Sequence, residues 1–155
     1  MVNSLHPHSQ YPTRGHLSAK NLPQLDALLL GPEFVAILEF KNYFAPIQAN
    51  YLDGKWKAIV QNRSQVVAGG GKRNPYLQAR HAKKAWQLPL KDIVANHLNA
   101  FILFHPYLHP DSKLPPLGQD NYWLRINGVE DILGIDLHDL FPPYCLNLAD
   151  ATNYH

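Results

Sequence analysis

The sequence predicts a single α/β domain in which helices flank a β-sheet core. Two observations favour this class: apolar segments of strand length recur along the chain, and one helix carries clear N-terminal signals. Of the 155 residues, 46% are hydrophobic and 17% are charged, which is enough apolar surface for one core. We assign residues 25–141 to this domain, with an irregular arm at 1–24 and an irregular tail at 142–155.

Composition excludes several other classes of protein. No apolar run approaches the roughly 18 to 20 residues that a membrane-spanning helix needs. The N-terminus lacks the basic and apolar segments of a secretory signal. The single cysteine, Cys145, excludes disulfide scaffolds and cysteine-based zinc clusters. We therefore expect a cytoplasmic protein with no membrane partner, and its oligomeric state stays open.

The first structured elements are predicted to be two strands joined by a tight turn. The arm before them is rich in His and Pro and poor in apolar residues, which indicates irregular structure. Residues 25–30 and 34–41 are rich in Leu, Val, Ile and Phe and are separated by Gly31-Pro32-Glu33. Both faces of these strands are apolar, so we expect both strands in the middle of a sheet that helices cover.

A second hairpin and a helix follow. Residues 47–52 and 55–60 flank Asp53-Gly54, a strong turn signal. Residues 62–72 contain three consecutive glycines at 69–71, which predicts a mobile loop. The helix is predicted to begin at Asn74-Pro75, because Asn is a good N-cap and Pro is favoured at the first helical position. It is predicted to run to about Leu88.

The remaining elements have weaker signals. A second helical pattern covers residues 90–98, and an apolar strand is expected at 100–105. A proline-rich loop at 106–119 precedes another strand at 122–126. A short helix is predicted near residues 129–133.

Positive charge is concentrated in the middle of the chain. Residues 54–91 contain nine Lys or Arg and no Asp or Glu, whereas the C-terminal third is acidic. This distribution predicts a surface for a polyanion, or else a solvated basic face that the acidic tail balances. The six residues predicted to contact nucleic acid are Lys55, Lys57, Arg63, Lys72, Arg73 and Arg80.

The chemically informative residues lie on the first hairpin. A turn of even length pairs Leu28 with Ile37 and places Asp26 beside Glu39. Lys41 then joins the two acids, because side chains two residues apart in a strand share a face. A turn of odd length would move Asp26 to the opposite face.

Two adjacent carboxylates suggest a cation site. At a separation of about 5 Å they repel by about 3 kcal/mol at an effective dielectric constant of about 20. A divalent cation such as Mg²⁺ removes this cost, and Asp26, Glu39 and the backbone carbonyl of Phe40 would bind it. Lys41 would orient or deprotonate the attacking water and stabilise the phosphate. The alternative is an ordinary ion network at the end of a sheet.

Residues 25–43, LDALLLGPEFVAILEFKNY, resemble the core of the PD-(D/E)xK nuclease superfamily, and more closely its nuclease-related domain (NERD) branch. The later Asp53-Gly54-Lys55-Trp56 hairpin and the NPYLQAR helix start at 74–80 occur in the same order as in that family. The resemblance spans about residues 24–105. It implies a restriction-endonuclease-like mixed β-sheet core flanked by helices.

The same resemblance implies a function. It suggests a Mg²⁺- or Mn²⁺-dependent enzyme that hydrolyses phosphodiester bonds in nucleic acid, with DNA as the substrate. The implied catalytic residues are Asp26, Glu39, Lys41 and Gln78. On a helical wheel Gln78, Ala82 and Ala85 form one stripe, which turns Gln78 toward the sheet.

The N-terminal arm is atypical for such a family. Its members usually have an earlier helix that supplies another acid, yet residues 1–25 contain no Asp or Glu. Two alternatives therefore stand beside the enzyme. The chain could be a catalytically inactive module that binds nucleic acid or a protein, or a fragment that lacks its first acidic helix.

Overall fold

The computed structural model describes residues 22–31, 35–91 and 98–134. Most of the predicted arm, most of the predicted turn at 31–33, most of the second predicted helix and the predicted C-terminal tail lie outside these residues. In the described ranges the strands and α-helices are, in order, β1 (Ala27–Leu30), β2 (Val35–Asn42), β3 (Ile47–Gln48), β4 (Lys57–Val60), β5 (Arg63–Val66), α1 (Pro75–Gln87), β6 (Asn99–His105), β7 (Leu124–Gly128) and α2 (Val129–Ile132). Two short 3-10 helices cover Gly70–Lys72 and Gln119–Asn121.

The central sheet is mixed and has the strand order β1-β2-β6-β7. Strand β1 pairs antiparallel with β2, whereas β2–β6 and β6–β7 are parallel. The connection from β2 to β6 contains α1, which packs on both strands, as a parallel crossover requires. A mixed sheet flanked by helices confirms the predicted fold class.

The first hairpin has the predicted register. Leu28 pairs with Ile37 and Leu30 with Val35, and extending the series by one residue places Asp26 opposite Glu39. The prediction that both strands lie in the middle of the sheet was wrong for β1. Among the described strands β1 is at the edge, because it pairs only with β2, and Leu30 is 62% exposed.

Strands β3, β4 and β5 form a separate antiparallel sheet. The predicted second hairpin is confirmed as the β3–β4 pair, but its strands are shorter, and residues 49–56 connect them around Asp53-Gly54. The prediction of a mobile loop at 62–72 was wrong for residues 63–66, because they form strand β5. Gln61 and Asn62 adopt φ values of 46° and 61°, which is the left-handed backbone of a tight hairpin turn.

Helix α1 has the predicted beginning. The Asn74 side chain accepts a hydrogen bond from the Leu77 N–H at 2.6 Å, and Pro75 occupies the first helical position. The helix ends at Gln87, one residue before the predicted end. Strands β6 and β7 and helix α2 lie within two residues of their predicted positions.

The sheet separates two apolar clusters. The larger one lies between the sheet, α1 and the three-stranded sheet, and its largest fully buried side chains are Trp56, Phe104, Ile37, Ile47, Leu98, Ile102 and Leu124. The smaller cluster lies on the opposite face under α2 and contains Ala36, Phe101 and Leu103. In the described ranges, every helix is too short or too polar to cross a membrane.

Candidate active site

The candidate site lies in the second half of β2. Ile37, Glu39 and Lys41 alternate along this strand and therefore share the face that α1 covers. Ile37 belongs to the larger core, and the next two positions continue the same stripe as an acid and an ammonium group. Glu39 is fully buried and Lys41 is 6% exposed. Charged groups this deep in a protein are stable only when they are paired.

Gln78 provides much of that pairing from the first turns of α1. Its Nε2 donates to Glu39 Oε2 at 2.5 Å, and its Oε1 accepts from Lys41 Nζ at 3.0 Å. Lys41 Nζ also lies 3.5 Å from Glu39 Oε2. The three side chains thus form a closed triangle of polar contacts. Gln78 therefore fixes the positions of the Glu39 carboxyl and the Lys41 ammonium group relative to each other. The packing of α1 on β2 fixes the position of Gln78 itself.

Glu39 is incompletely satisfied in this triangle. Its second oxygen, Oε1, is buried and has no hydrogen-bond partner in the part of the chain that the structure describes. The pKa of Glu39 is raised to about 7, chiefly because burial penalises the charged form. The Lys41 ammonium opposes this increase, and the negative charge of Asp26 adds to it. Glu39 therefore has a free oxygen that a cation could bind.

Asp26 approaches from the edge of the sheet. Its Oδ2 accepts a hydrogen bond from the Phe40 N–H at 2.8 Å, just beyond Ala27–Leu38, the terminal pair of β1 and β2. The N–H and C=O groups of a strand residue point to the same side, so the Phe40 carbonyl faces this edge as well. In the described ranges, Lys41 pairs with Glu39 and Gln78, and Asp26 contacts the backbone of β2.

These oxygens suit a hard divalent cation. Asp26, the free oxygen of Glu39 and the Phe40 carbonyl are the ligand types that Mg²⁺ and Mn²⁺ prefer. No group of three His, Cys, Asp or Glu that could hold a metal is found in residues 22–31, 35–91 and 98–134. Such a small protein ligand set fits Mg²⁺, because this ion usually retains several waters and binds substrate phosphates.

Gly69 is a site residue that the sequence analysis missed. A Cβ atom at this position would overlap the side-chain amide of Gln78. The segment is held locally, since the Gly69 N–H donates to the Arg73 carbonyl at 2.8 Å and the Lys72 N–H donates to the Gly69 carbonyl at 3.1 Å. The sequence feature that could have revealed Gly69 is the glycine run at 69–71, because it lies shortly before the helix that carries Gln78.

Comparison with protein families decides the classification. The model of the nuclease-related domain matches residues 8–108 of the 155. The chain belongs to the NERD family. The match includes Asp26, Glu39, Lys41 and Gln78 and begins within the predicted arm. Comparisons with curated proteins and with solved structures gave no match.

The six basic residues predicted to contact nucleic acid are all exposed, but they lie on several surfaces of the NERD domain. Lys55 and Lys57 line a groove of about 360 Å³ in the three-stranded sheet. Arg63 lies opposite Val60 at the start of β5. Lys72 and Arg73 follow the glycine run. Arg80 lies on α1, where its guanidinium carbon is 5.3 Å from the centroid of the Tyr76 ring.

Proposed function

We propose that this NERD domain is a metal-dependent nuclease that hydrolyses phosphodiester bonds in DNA. One observation carries the proposal: a buried carboxylate oxygen of Glu39 has no hydrogen-bond partner among the described residues, although Lys41 and Gln78 hold the other oxygen. Leaving a buried acceptor unpaired costs about 1–3 kcal/mol. A ligand for this oxygen would offset that cost.

Asp26, Glu39 and the Phe40 carbonyl are the groups that would hold Mg²⁺ or Mn²⁺. When bound, such an ion polarises a phosphate oxygen and lowers the pKa of a coordinated water. Metal binding requires the ionised carboxylate of Glu39. Because the pKa of Glu39 is about 7 without metal, we expect activity to increase with pH as this group loses its proton.

Lys41 is the proposed catalytic cation. Its Nζ is held by Glu39 and Gln78, so it loses little side-chain freedom when it acts. A fixed ammonium group in a buried site stabilises the negative charge that develops on the phosphate. The same group orients the attacking water. Gln78 is a positioning residue, since it contacts both Glu39 and Lys41.

Cleavage of labelled DNA in the presence of Mg²⁺ or Mn²⁺ tests the proposal. We expect Lys41→Ala and Glu39→Gln to reduce the rate by about 100-fold or more, the usual contribution of a positioned acid–base group. Lys113→Ala is the matched control, because Lys113 is an exposed lysine of the proline-rich loop that pairs through its backbone with Ile47 and Ala49 and takes no part in the contacts among Glu39, Lys41 and Gln78. Thermal unfolding of each variant checks that it is folded. Full cleavage by folded Lys41→Ala would refute the mechanism.

A second candidate function is a catalytically inactive module that binds nucleic acid or a protein partner. The observation that favours it is the small number of acids near the site in the described ranges, together with the use of Asp26 as a backbone acceptor. For nucleic acid, this function predicts binding that weakens with salt concentration and no turnover with either metal. Parallel binding and cleavage measurements on the same DNA separate the two functions.

A further inference from the structure

A cleft of about 600 Å³ opens beside Lys41, between the end of β2 and the β4–β5 hairpin. Three aromatic residues line it, Phe40, Tyr43 and Phe44, together with the amides Asn42 and Gln65. The described residues that line it include no carboxylate. Its volume is within the roughly 300–1,000 Å³ that is typical of ligand pockets.

The aromatic residues in this cleft are unusually exposed. Phe44 is 64% exposed and Phe40 is 41% exposed. The Tyr43 hydroxyl donates a long hydrogen bond of 3.5 Å to the Val66 carbonyl, which connects the end of β2 to β5. Aromatic surface exposed beside a candidate active site indicates a ligand that covers it.

The β4–β5 hairpin adds positive charge to the same region. Directly paired residues of antiparallel strands project from the same face of the sheet. Val60 pairs with Arg63 and Ala58 pairs with Gln65, so all four project from one face of this hairpin. Val60 and Gln65 line the cleft, and Arg63 therefore lies on the cleft side. Lys57, which alternates with Ala58, projects from the other face.

Each lining group matches one part of a nucleotide. Aromatic side chains stack on nucleobases, and Asn and Gln amides form hydrogen bonds with base edges. Arg and Lys bind the phosphates. A base inside a duplex is stacked on its neighbours and cannot enter such a cleft without being extruded. An unpaired base has no such barrier.

We infer that the cleft binds an unpaired nucleobase of the substrate, so that the domain acts on single-stranded DNA in preference to intact duplex. This inference rests on the proposed nuclease function of the adjacent site. Phe44 stacks on the base, Gln65 contacts its edge, and Arg63 binds a neighbouring phosphate. Because Lys41 is among the residues that line the cleft, the bound nucleotide lies beside the candidate active site.

Fluorescence anisotropy in EDTA tests the inference without cleavage. The probes are a labelled oligodeoxythymidylate and a blunt duplex of equal length. We expect tighter binding of the single strand. Phe44→Ala should weaken this binding about ten-fold, the loss expected for one stacked base, with little change for the duplex. Tyr107→Ala is the matched control, because Tyr107 is 37% exposed and lies outside both this cleft and the groove that Lys55 and Lys57 line.

A salt titration gives an independent measurement. We expect Arg63→Ala to reduce the salt slope of single-strand binding by about one, the loss of one phosphate contact. Equal or tighter binding of the duplex would overturn the inference, as would unchanged single-strand affinity in Phe44→Ala.

The test distinguishes failure of the inference from failure of the proposed function. Single-strand binding that depends on Phe44, without cleavage in Mg²⁺ or Mn²⁺, would support the inference and refute catalysis. Cleavage that depends on Lys41, with binding unaffected by Phe44→Ala, would overturn the inference and support catalysis.

Discussion

Replacing Glu39 by glutamine should change how the stability of the protein depends on pH. Folding raises the pKa of this carboxyl from 4.5 to about 7, because burial disfavours its charge. Between pH 4.5 and about pH 7, the folded state therefore holds the Glu39 proton more tightly than the unfolded state does. The stabilisation of the fold that this proton provides is complete below pH 4.5 and is lost as the pH increases to about 7. The shift corresponds to about 3 kcal/mol.

Urea unfolding at a series of pH values in EDTA measures this effect. The glutamine side chain of the Glu39→Gln variant does not titrate, so the difference in unfolding free energy between wild type and variant isolates the Glu39 proton. We expect wild type to lose about 3 kcal/mol relative to the variant between about pH 4.5 and about pH 8. Glu130→Gln, a change at an acid on α2 outside the site, should follow the wild-type curve.

The same variant tests metal binding. Above about pH 7, Mg²⁺ should stabilise wild type by an amount that increases with the logarithm of its concentration above the dissociation constant, and it should have little effect on Glu39→Gln. If wild type and Glu39→Gln show parallel stability curves from about pH 4.5 to about pH 8, the buried Glu39 carboxyl does not have the raised pKa, and the electrostatic reasoning is refuted.

Three further substitutions test the surrounding structure. Gly69→Ala should displace the Gln78 amide and cost about 1–3 kcal/mol with a loss of cleavage; normal stability and activity would contradict the close approach. Asn74→Ala should cost about 2–4 kcal/mol in urea unfolding, since it removes the helix cap and two hydrogen bonds to loop carbonyls, whereas Asn74→Ser should recover the cap alone. Gln61→Asn should stabilise the protein by about 0.3 kcal/mol, because Asn tolerates the left-handed backbone of this turn better than Gln does. A lower melting temperature would contradict the left-handed backbone at Gln61 and Asn62.

Elements with a strong local signal were predicted well. The N-cap at Asn74, the first-hairpin register and the apolar strand β6 agree with the structure. Strand β5 was missed because Arg63–Val66 is exposed throughout and has no hydrophobic pattern. Its position depends on pairing with β4 and on the turn at Gln61. The edge position of β1 was missed because apolar faces do not distinguish an edge strand from a central one.

The sequence by itself determined the spacing of the polar residues along β2 and their order relative to α1. Strand periodicity puts Glu39 and Lys41 on one face in any sheet, and the turn register then brings Asp26 to the same end. The shared face of Glu39 and Lys41 can be derived from residue numbers alone, whereas the position of Asp26 depended on whether the turn has even or odd length, and the register in the structure decides it.

Only the tertiary structure decided how those groups behave. The contact between Glu39 and Gln78 joins residues 39 positions apart, and the raised pKa of Glu39 follows from full burial under α1. The cleft beside Lys41 exists because the β4–β5 hairpin packs near the end of β2. Such features depend on how the whole core packs, because burial and long-range contacts are set by every element that surrounds the site.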